Sequence, residues 1–207
     1  FPATALDSDH VAFRSTDGAL RVVSCSQHKE IWHFADAMDR KEWSTDLPVS
    51  GGVVLASTLM PSFLPRTFIR GITEDEVQLP GQVQTQWSLQ VVDNKAVVVT
   101  TEGKGIVTLF GVDMKSGEIA YQVELPIVPC TRSENFHVCR NQKTVFAIDL
   151  ATGKKTFEQE LSGSPRFMSA QGDFVAVQLQ DGKFQIISMR DGSTAFTGEI
   201  RIKEAPV

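Results

Sequence analysis

Thr144 to Leu161 reads TVFAIDLATGKKTFEQEL. It begins as a strand of alternating apolar residues, turns at Ala151-Thr152-Gly153, and continues as a second strand. Phe157 follows the turn glycine by four residues. Side chains on a strand point to opposite faces with a period of two, so this alternation fits a half-buried antiparallel pair. Glycine suits the turn because it accepts a positive φ without a steric penalty.

The same phrase returns along the chain. Val107 to Leu125 reads VTLFGVDMKSGEIAYQVEL, with Gly117 four residues before Tyr121. Phe184 to Ile200 reads FQIISMRDGSTAFTGEI, with Gly192 four residues before Phe196. In Leu20 to Phe34, LRVVSCSQHKEIWHF, His28 stands where the turn glycine would be and Trp32 holds the aromatic place. The later turns are 36 and 39 residues apart, and 89 residues separate His28 from Gly117, which leaves room for one degenerate copy. A unit of roughly forty residues, each a small antiparallel sheet with one aromatic, is the mark of a β-propeller blade. The expected fold is therefore all-β, with about four to five four-stranded antiparallel blades in a partial or open ring. A β-sandwich with Asp-Gly hairpins has the same turn spacing and is the competing architecture.

Residues 1–207 are expected to form one propeller-type domain with an irregular blade or insertion at 44–86. Val11 and Phe13 share a strand face ahead of the first phrase, and DRKEW at Asp39 to Trp43 is either a blade terminus or a helical turn. Gly52 to Ala56 and Thr67 to Ile72 can each form a strand. Between them Pro61 and Pro65 remove backbone donors and confine the segment to a loop or sheet edge. The apolar residues there and beside it, Leu59, Met60, Phe63, Leu64 and Phe68, mark residues 59 to 70 as a candidate partner-facing loop. Further on, Ser88 to Val92 and Lys95 to Thr101 flank an Asp93-Asn94 turn. Phe136 to Cys139 pairs with Thr144 to Asp149, and Asp173 to Leu179 pairs with the Phe184 phrase through Asp181-Gly182. Helices are nearly absent, because no segment keeps apolar residues at a spacing of three and four. So few blades would leave sheet faces open at both ends, which calls for a pairing partner, further chain or an irregular arrangement.

A hydrophobic content of 42% belongs to a globular protein with a real core. The net charge of −5 comes with scattered basic residues, so there is no footprint for nucleic acid or an anionic membrane. No run reaches the about eighteen apolar residues of a membrane span. A chain that begins at Phe1 is expected to be a mature product or an excised domain. Cys130 and Cys139 bracket TRSENFHV between two expected blades and are either a disulfide across a returning loop or two buried thiols. The disulfide would imply an oxidising compartment. Cys25, inside an expected strand, reads as a small buried hydrophobe.

VFAIDLATGKKTF and LFGVDMKSGEIAY resemble the pyrroloquinoline-quinone-type propeller repeat, in which an Asp, a turn ending in Gly and an aromatic close each blade. The aromatic of that family docks between adjacent blades, which implies this role for Trp32, Tyr121, Phe157 and Phe196. GEIAYQVELP followed by the cysteine pair is similar to the lumenal propeller of the subunit 1 family of the endoplasmic reticulum membrane protein complex. That resemblance implies a non-catalytic scaffold in the endoplasmic reticulum lumen, within a machine that inserts transmembrane helices. Its partners would be other subunits or a second copy, and it would meet the membrane only through partners or further chain. The family's membrane anchor has no counterpart in these residues, as expected of a lumenal fragment. STDGALRVVSCSQHKEIW, Ser15 to Trp32, is similar to the lumenal domains of unfolded-protein sensor kinases. The bacterial outer-membrane assembly lipoprotein uses the same repeat as a complete ring, with more blades and a lipidated N-terminal cysteine.

An enzymatic reading needs a site. Quinone-dependent dehydrogenases of this fold carry adjacent cysteines over the cofactor, a tryptophan floor and an Asp/Asn/Glu cluster on calcium, and no two cysteines are adjacent in this sequence. His10, His28, His33 and His137 lack metal-ligand spacing. Glu74-Asp75-Glu76 lacks alternating loop ligands, and Gly103-Lys104-Gly105 lacks the length of a phosphate loop. No catalytic, cofactor-binding or metal-ligating residue is therefore expected, and the sequence points to a scaffold for protein contacts. A stress-sensing lumenal domain is the alternative, and a quinone-dependent dehydrogenase comes third.

Overall fold

The computed structural model describes residues 3–5, 8–15, 19–34, 49–50, 53–57, 66–70, 76–80, 82–83, 89–101 and 105–199. These residues form antiparallel hairpins that succeed one another in five sheets, with no helix among them. Sheet 1 holds β1 (Ala3–Ala5), β2 (His10–Arg14), β3 (Leu20–Ser24) and β4 (Lys29–Phe34). Sheet 2 holds β5 (Val49–Ser50), β6 (Val53–Ser57), β7 (Arg66–Arg70) and β8 (Glu76–Pro80). Sheet 3 holds β9 (Gln82–Val83), β10 (Leu89–Val92), β11 (Lys95–Thr101), β12 (Ile106–Asp113) and β13 (Ile119–Pro126). Sheet 4 holds β14 (Cys130–Arg132), β15 (Phe136–Asn141), β16 (Thr144–Asp149) and β17 (Lys155–Glu160). Sheet 5 holds β18 (Pro165–Gln171), β19 (Phe174–Leu179), β20 (Lys183–Ser188) and β21 (Thr194–Glu199).

Strand order within each sheet follows chain order, and β9 adds to β11 at the edge of sheet 3. Such a succession of four-stranded meanders is the blade pattern of a β-propeller. Sheet 2 occupies the gap that the spacing of the turns leaves for a degenerate copy.

Local chemistry explains why the third turn recurs. In sheet 4 the Gly153 N–H donates to the Asp149 carbonyl at 2.8 Å, with Gly153 at φ +71°. Asp149 Oδ1 accepts from the Thr152 N–H at 2.7 Å, which holds the turn from inside as an Asx-type bond. Gly117 bonds to the Asp113 carbonyl and Gly192 to the Ser188 carbonyl in the same way, at 2.8 and 2.9 Å. His28 adopts φ +51° at the corresponding place in sheet 1.

Past each turn, the fourth strand carries a β-bulge. The register skips Ile31, Ala120, Thr156 and Ala195, so that Trp32, Tyr121, Phe157 and Phe196 pair with Val22, Gly111, Ala147 and Ile186. A bulge adds one residue, bends the strand and raises its twist. The backbone also ties the first turn of each of these sheets to the third. Cys25, Met114, Leu150 and Met189 donate their N–H to the carbonyls of Asp9, Asn94, Asn135 and Asp173, at 2.7 to 3.0 Å.

The chain divides into two compact units, Phe1–Pro126 and Ile127–Val207. In the first, Leu79 of sheet 2 packs with Leu89, Ala96, Val98, Phe110 and Val112 of sheet 3. In the second, Phe136, Val138, Val145, Ala147 and Phe157 of sheet 4 bury against Val175, Val177 and Ile187 of sheet 5, together with Met189 just past β20. Alternation along each strand sends these residues to a single face.

Candidate functional site

Cys130 and Cys139 form a disulfide, with Cα atoms 4.1 Å apart and directly opposite one another on β14 and β15. The bond therefore lies within sheet 4, which corrects the expectation of a link between two blades. Both cysteines belong to one meander because β14 pairs with β15, and the three-residue β14 is too short to show as a strand in the sequence pattern. Cys25 also departs from expectation: it lies in the turn after β3 and is exposed.

His137 is buried beside this disulfide. Its Nδ1 accepts from Arg132 Nε at 3.0 Å. Burial first, and then the charge of Arg132, push the imidazole down to a pKa of about 3, so it is neutral at pH 7. Cys130, His137 and Cys139 place potential ligand atoms within 4.8 Å of one another. With both sulfurs committed to the disulfide there is no thiolate to bind a metal, and the set does not fit one in this state.

The four blade aromatics share a register position, and the three whose side chains are described differ in their surroundings. Phe157 is 8% exposed, inside the core between sheets 4 and 5. Gly192 of sheet 5 lies against it so closely that a Cβ on the glycine would sit 2.9 Å from the Phe157 Cβ. The Thr156 hydroxyl donates to the Met189 carbonyl, and an Arg140 guanidinium N–H donates to the Pro165 carbonyl, so polar contacts also join sheets 4 and 5. Tyr121 lies across Gly111 of its own sheet and is half-buried. Phe196 is 54% exposed and tilts against Phe184 of its own sheet, with ring centroids 5.7 Å apart. Of Trp32 the structure describes the backbone, paired with Val22.

Leu59, Met60, Phe63 and Leu64 lie outside the described residues. Phe68 is in β7, paired with Ala56 and Gln78, so this end of the expected loop is the third strand of sheet 2.

Sequence reasoning missed the outer face of sheet 5. The registers place Ala176, Ile186 and Phe196 in one row, with Phe174 on β19 and Phe184 on β20 beside it. Phe174 is 47% exposed, Ala176 is exposed, and Phe184 and Ile186 are half-buried. The opposite face of the same strands is the core just described. Phe167 of β18 is a further exposed aromatic in this sheet. A signal was present in FVAVQL, where Phe174 to Val177 are apolar without a break and so supply both faces.

No protein-family description matches this chain, and no curated protein matches it. Among solved structures it is similar to Kluyveromyces lactis Hsv2 with loop 6CD replaced by a Gly-Ser linker, at 12% identity and TM-score 0.50, over 98% of this chain and 68% of that one. It is also similar to the computationally designed Ika8 protein, at 14% identity and TM-score 0.49, over 97% of this chain and 64% of that one. A third similarity is to BamB from Moraxella catarrhalis, at 17% identity and TM-score 0.44, over 97% of this chain and 63% of that one. The chain thus spans less than two thirds of the Ika8 and BamB chains. At such identities a likeness bears on fold and not on activity. Together with the succession of four-stranded meanders, the Hsv2 likeness makes this chain a β-propeller-type protein.

Proposed function

We propose that this chain is a non-catalytic propeller scaffold for protein–protein contacts, working in the endoplasmic reticulum lumen as part of a membrane-protein insertion complex. The observation that carries the scaffold reading is the outer face of sheet 5, where Phe174 and Phe196 are 47% and 54% exposed on the same face as Ala176, Phe184 and Ile186. Large exposed aromatics grouped on one face mark a surface that other protein covers. The disulfide supports an oxidising, extracytoplasmic compartment. The finer identity is supported by the resemblance of GEIAYQVELP and the following cysteine pair to the subunit 1 family named above.

The test is co-purification. A tagged chain directed to the endoplasmic reticulum lumen is isolated in mild detergent, alongside its Phe174→Asp, Phe196→Asp double variant. Insertion-complex subunits should come with the parent and be lost with the variant. Parent preparations without those subunits would overturn the assignment to that complex. The alternative, a lumenal sensor of unfolded chains, draws on the same apolar face and on the Ser15 to Trp32 resemblance. Self-association that rises with concentration and is strengthened by an unfolded peptide would favour it.

A further inference from the structure

Sheet 5 repeats on its outer face the pattern that sheet 4 buries. Residue for residue, Phe136, Val138, Val145, Ala147 and Phe157 of sheet 4 become Phe174, Ala176, Phe184, Ile186 and Phe196 in sheet 5. The paired rows Val138–Ala147–Phe157 and Ala176–Ile186–Phe196 fix the correspondence. All five positions in sheet 4 are buried. All five in sheet 5 are apolar as well, yet each is exposed or half-buried. The row is also buried elsewhere, at Ala12 and Val22 in sheet 1 and at Val97 and Gly111 in sheet 3. An outward sheet face normally alternates to polar residues, so five apolar positions in this one register have the composition of an inter-sheet core.

We infer that this face is a seat for one more four-stranded antiparallel sheet, one outside the described residues whose third turn carries glycine. The inference rests on the scaffold reading and names the partner's chemistry. Two junctions within the chain show what the seat requires. Gly192 of sheet 5 rests on Phe157 of sheet 4, and Gly117 of sheet 3 faces Val77 of sheet 2, where an added Cβ would lie 3.4 Å from a Val77 methyl. A glycine turn therefore meets the fourth strand of the preceding sheet in both. Phe196 stands at the place of Phe157, and its ring is already positioned. Phe184 lies across Gly198, where a Cβ would come within 2.5 Å of the ring, and the two rings tilt together.

A second copy of this chain is a poorer occupant. The face its first sheet would offer carries the Arg21–Glu30 ion pair, and the corresponding turn residue is His28, which brings a Cβ where glycine is needed. A membrane is disfavoured by the polar residues Ser169, Gln171 and Gln178, which the registers put on the same face.

The test presents the face with a sheet of the kind inferred. Residues 127–199 are fused behind Val207 of the full chain through a Gly-Ser linker, so that the added copy brings its own core. Phe196→Trp in the first copy is the reporter, read as difference emission against the Phe196 parent. Seating should shift its emission to the blue and remove most iodide quenching, and Gly153→Asn in the added copy should undo both. Asn tolerates the left-handed turn but carries the Cβ that the seat excludes. A reporter as quenchable in the fusion as in the unfused Phe196→Trp chain, or equal protection by the Asn variant, overturns the inference. The unfused chain is a second arm that does not depend on the added copy folding. It should sediment as a monomer and ignore phosphatidylcholine vesicles. Self-association abolished by Phe196→Asp would assign the face to a second copy, and vesicle binding would assign it to lipid, and either overturns the proposal. Absence of insertion-complex subunits from the parent preparation in the co-purification test would remove the assigned complex and leave the seat standing.

Discussion

Sheets 4 and 5 are built to one plan, with the same strand order, the same glycine turn and a bulge before the same aromatic. One hides the aromatic row that the other displays. The second, third and fourth strands place this row in the same register in both, so the difference comes from the neighbour: sheet 4 has sheet 5 against it, and the corresponding face of sheet 5 is open to solvent. A β-sheet stabilises through side-chain contacts across its faces, and a row of apolar residues contributes little until a second layer removes it from water. Residue type at a repeated position therefore records which faces are meant to be covered.

The sharpest way to break this comparison is to truncate the two aromatics in turn. Phe157→Ala should lower unfolding stability by about 3–5 kcal/mol, as for other core phenylalanines. Phe196→Ala should change it by no more than about 0.5 kcal/mol. Urea melts of the two variants read the contrast directly, and equal losses would mean that both rows are buried in solution.

The opposite faces differ in chemistry. His137 of sheet 4 stands where sheet 5 has Val175. Its folded pKa of about 3 lies below the unfolded value of 6.5, so between these limits the unfolded chain binds more protons. Its contribution is complete above pH 6.5 and is lost as the pH falls toward 3. By pH 4 the loss should be on the order of 3 kcal/mol, and His137→Val should remove it from the pH dependence of the melts. Likewise Cys130 and Cys139 stand where sheet 5 pairs Met168 with Val177. Reduction should cost about 2–3 kcal/mol for so short a loop, with faster hydrogen exchange in β14 and β15 and no direct effect on β18 and β19.

Much of the repeat was legible in the sequence because its determinants are local. Gly117, Gly153 and Gly192 mark turns that need a positive φ, and His28 was placed in the series by spacing alone. The expected pairing of Phe136 to Cys139 with Thr144 to Asp149 is that of β15 and β16, although both strands bury both faces. Phe196 was grouped with Phe157 on the same grounds, yet register does not say whether a second sheet lies above the ring. Unbroken apolar runs such as Phe174 to Val177 defeat a rule that expects one wet face. In the irregular segment at 44–86, β6 and β7 fall where strands were expected, whereas β5 and β9 are two residues each, too short for any period. Asp39 to Trp43, the residues offered as a blade terminus, lie outside the described residues.

A last test isolates the junction from the turn. Gly172 and Gly192 both have positive φ, +53° and +77°, and both lie in turns of sheet 5. A Cβ at Gly172 would meet nothing within 4 Å, whereas one at Gly192 would press on Phe157. Alanine at either position carries the left-handed penalty of about 1–2 kcal/mol. Gly192→Ala must also displace a packed ring, which should add about 1–2 kcal/mol. In a Phe157→Gly background the added cost should vanish while the shared penalty stays, because the obstructing Cβ and ring are both gone. A double-mutant cycle by urea melting measures that coupling, and a value near zero would show that the glycine serves the turn alone and is no part of the junction between sheets.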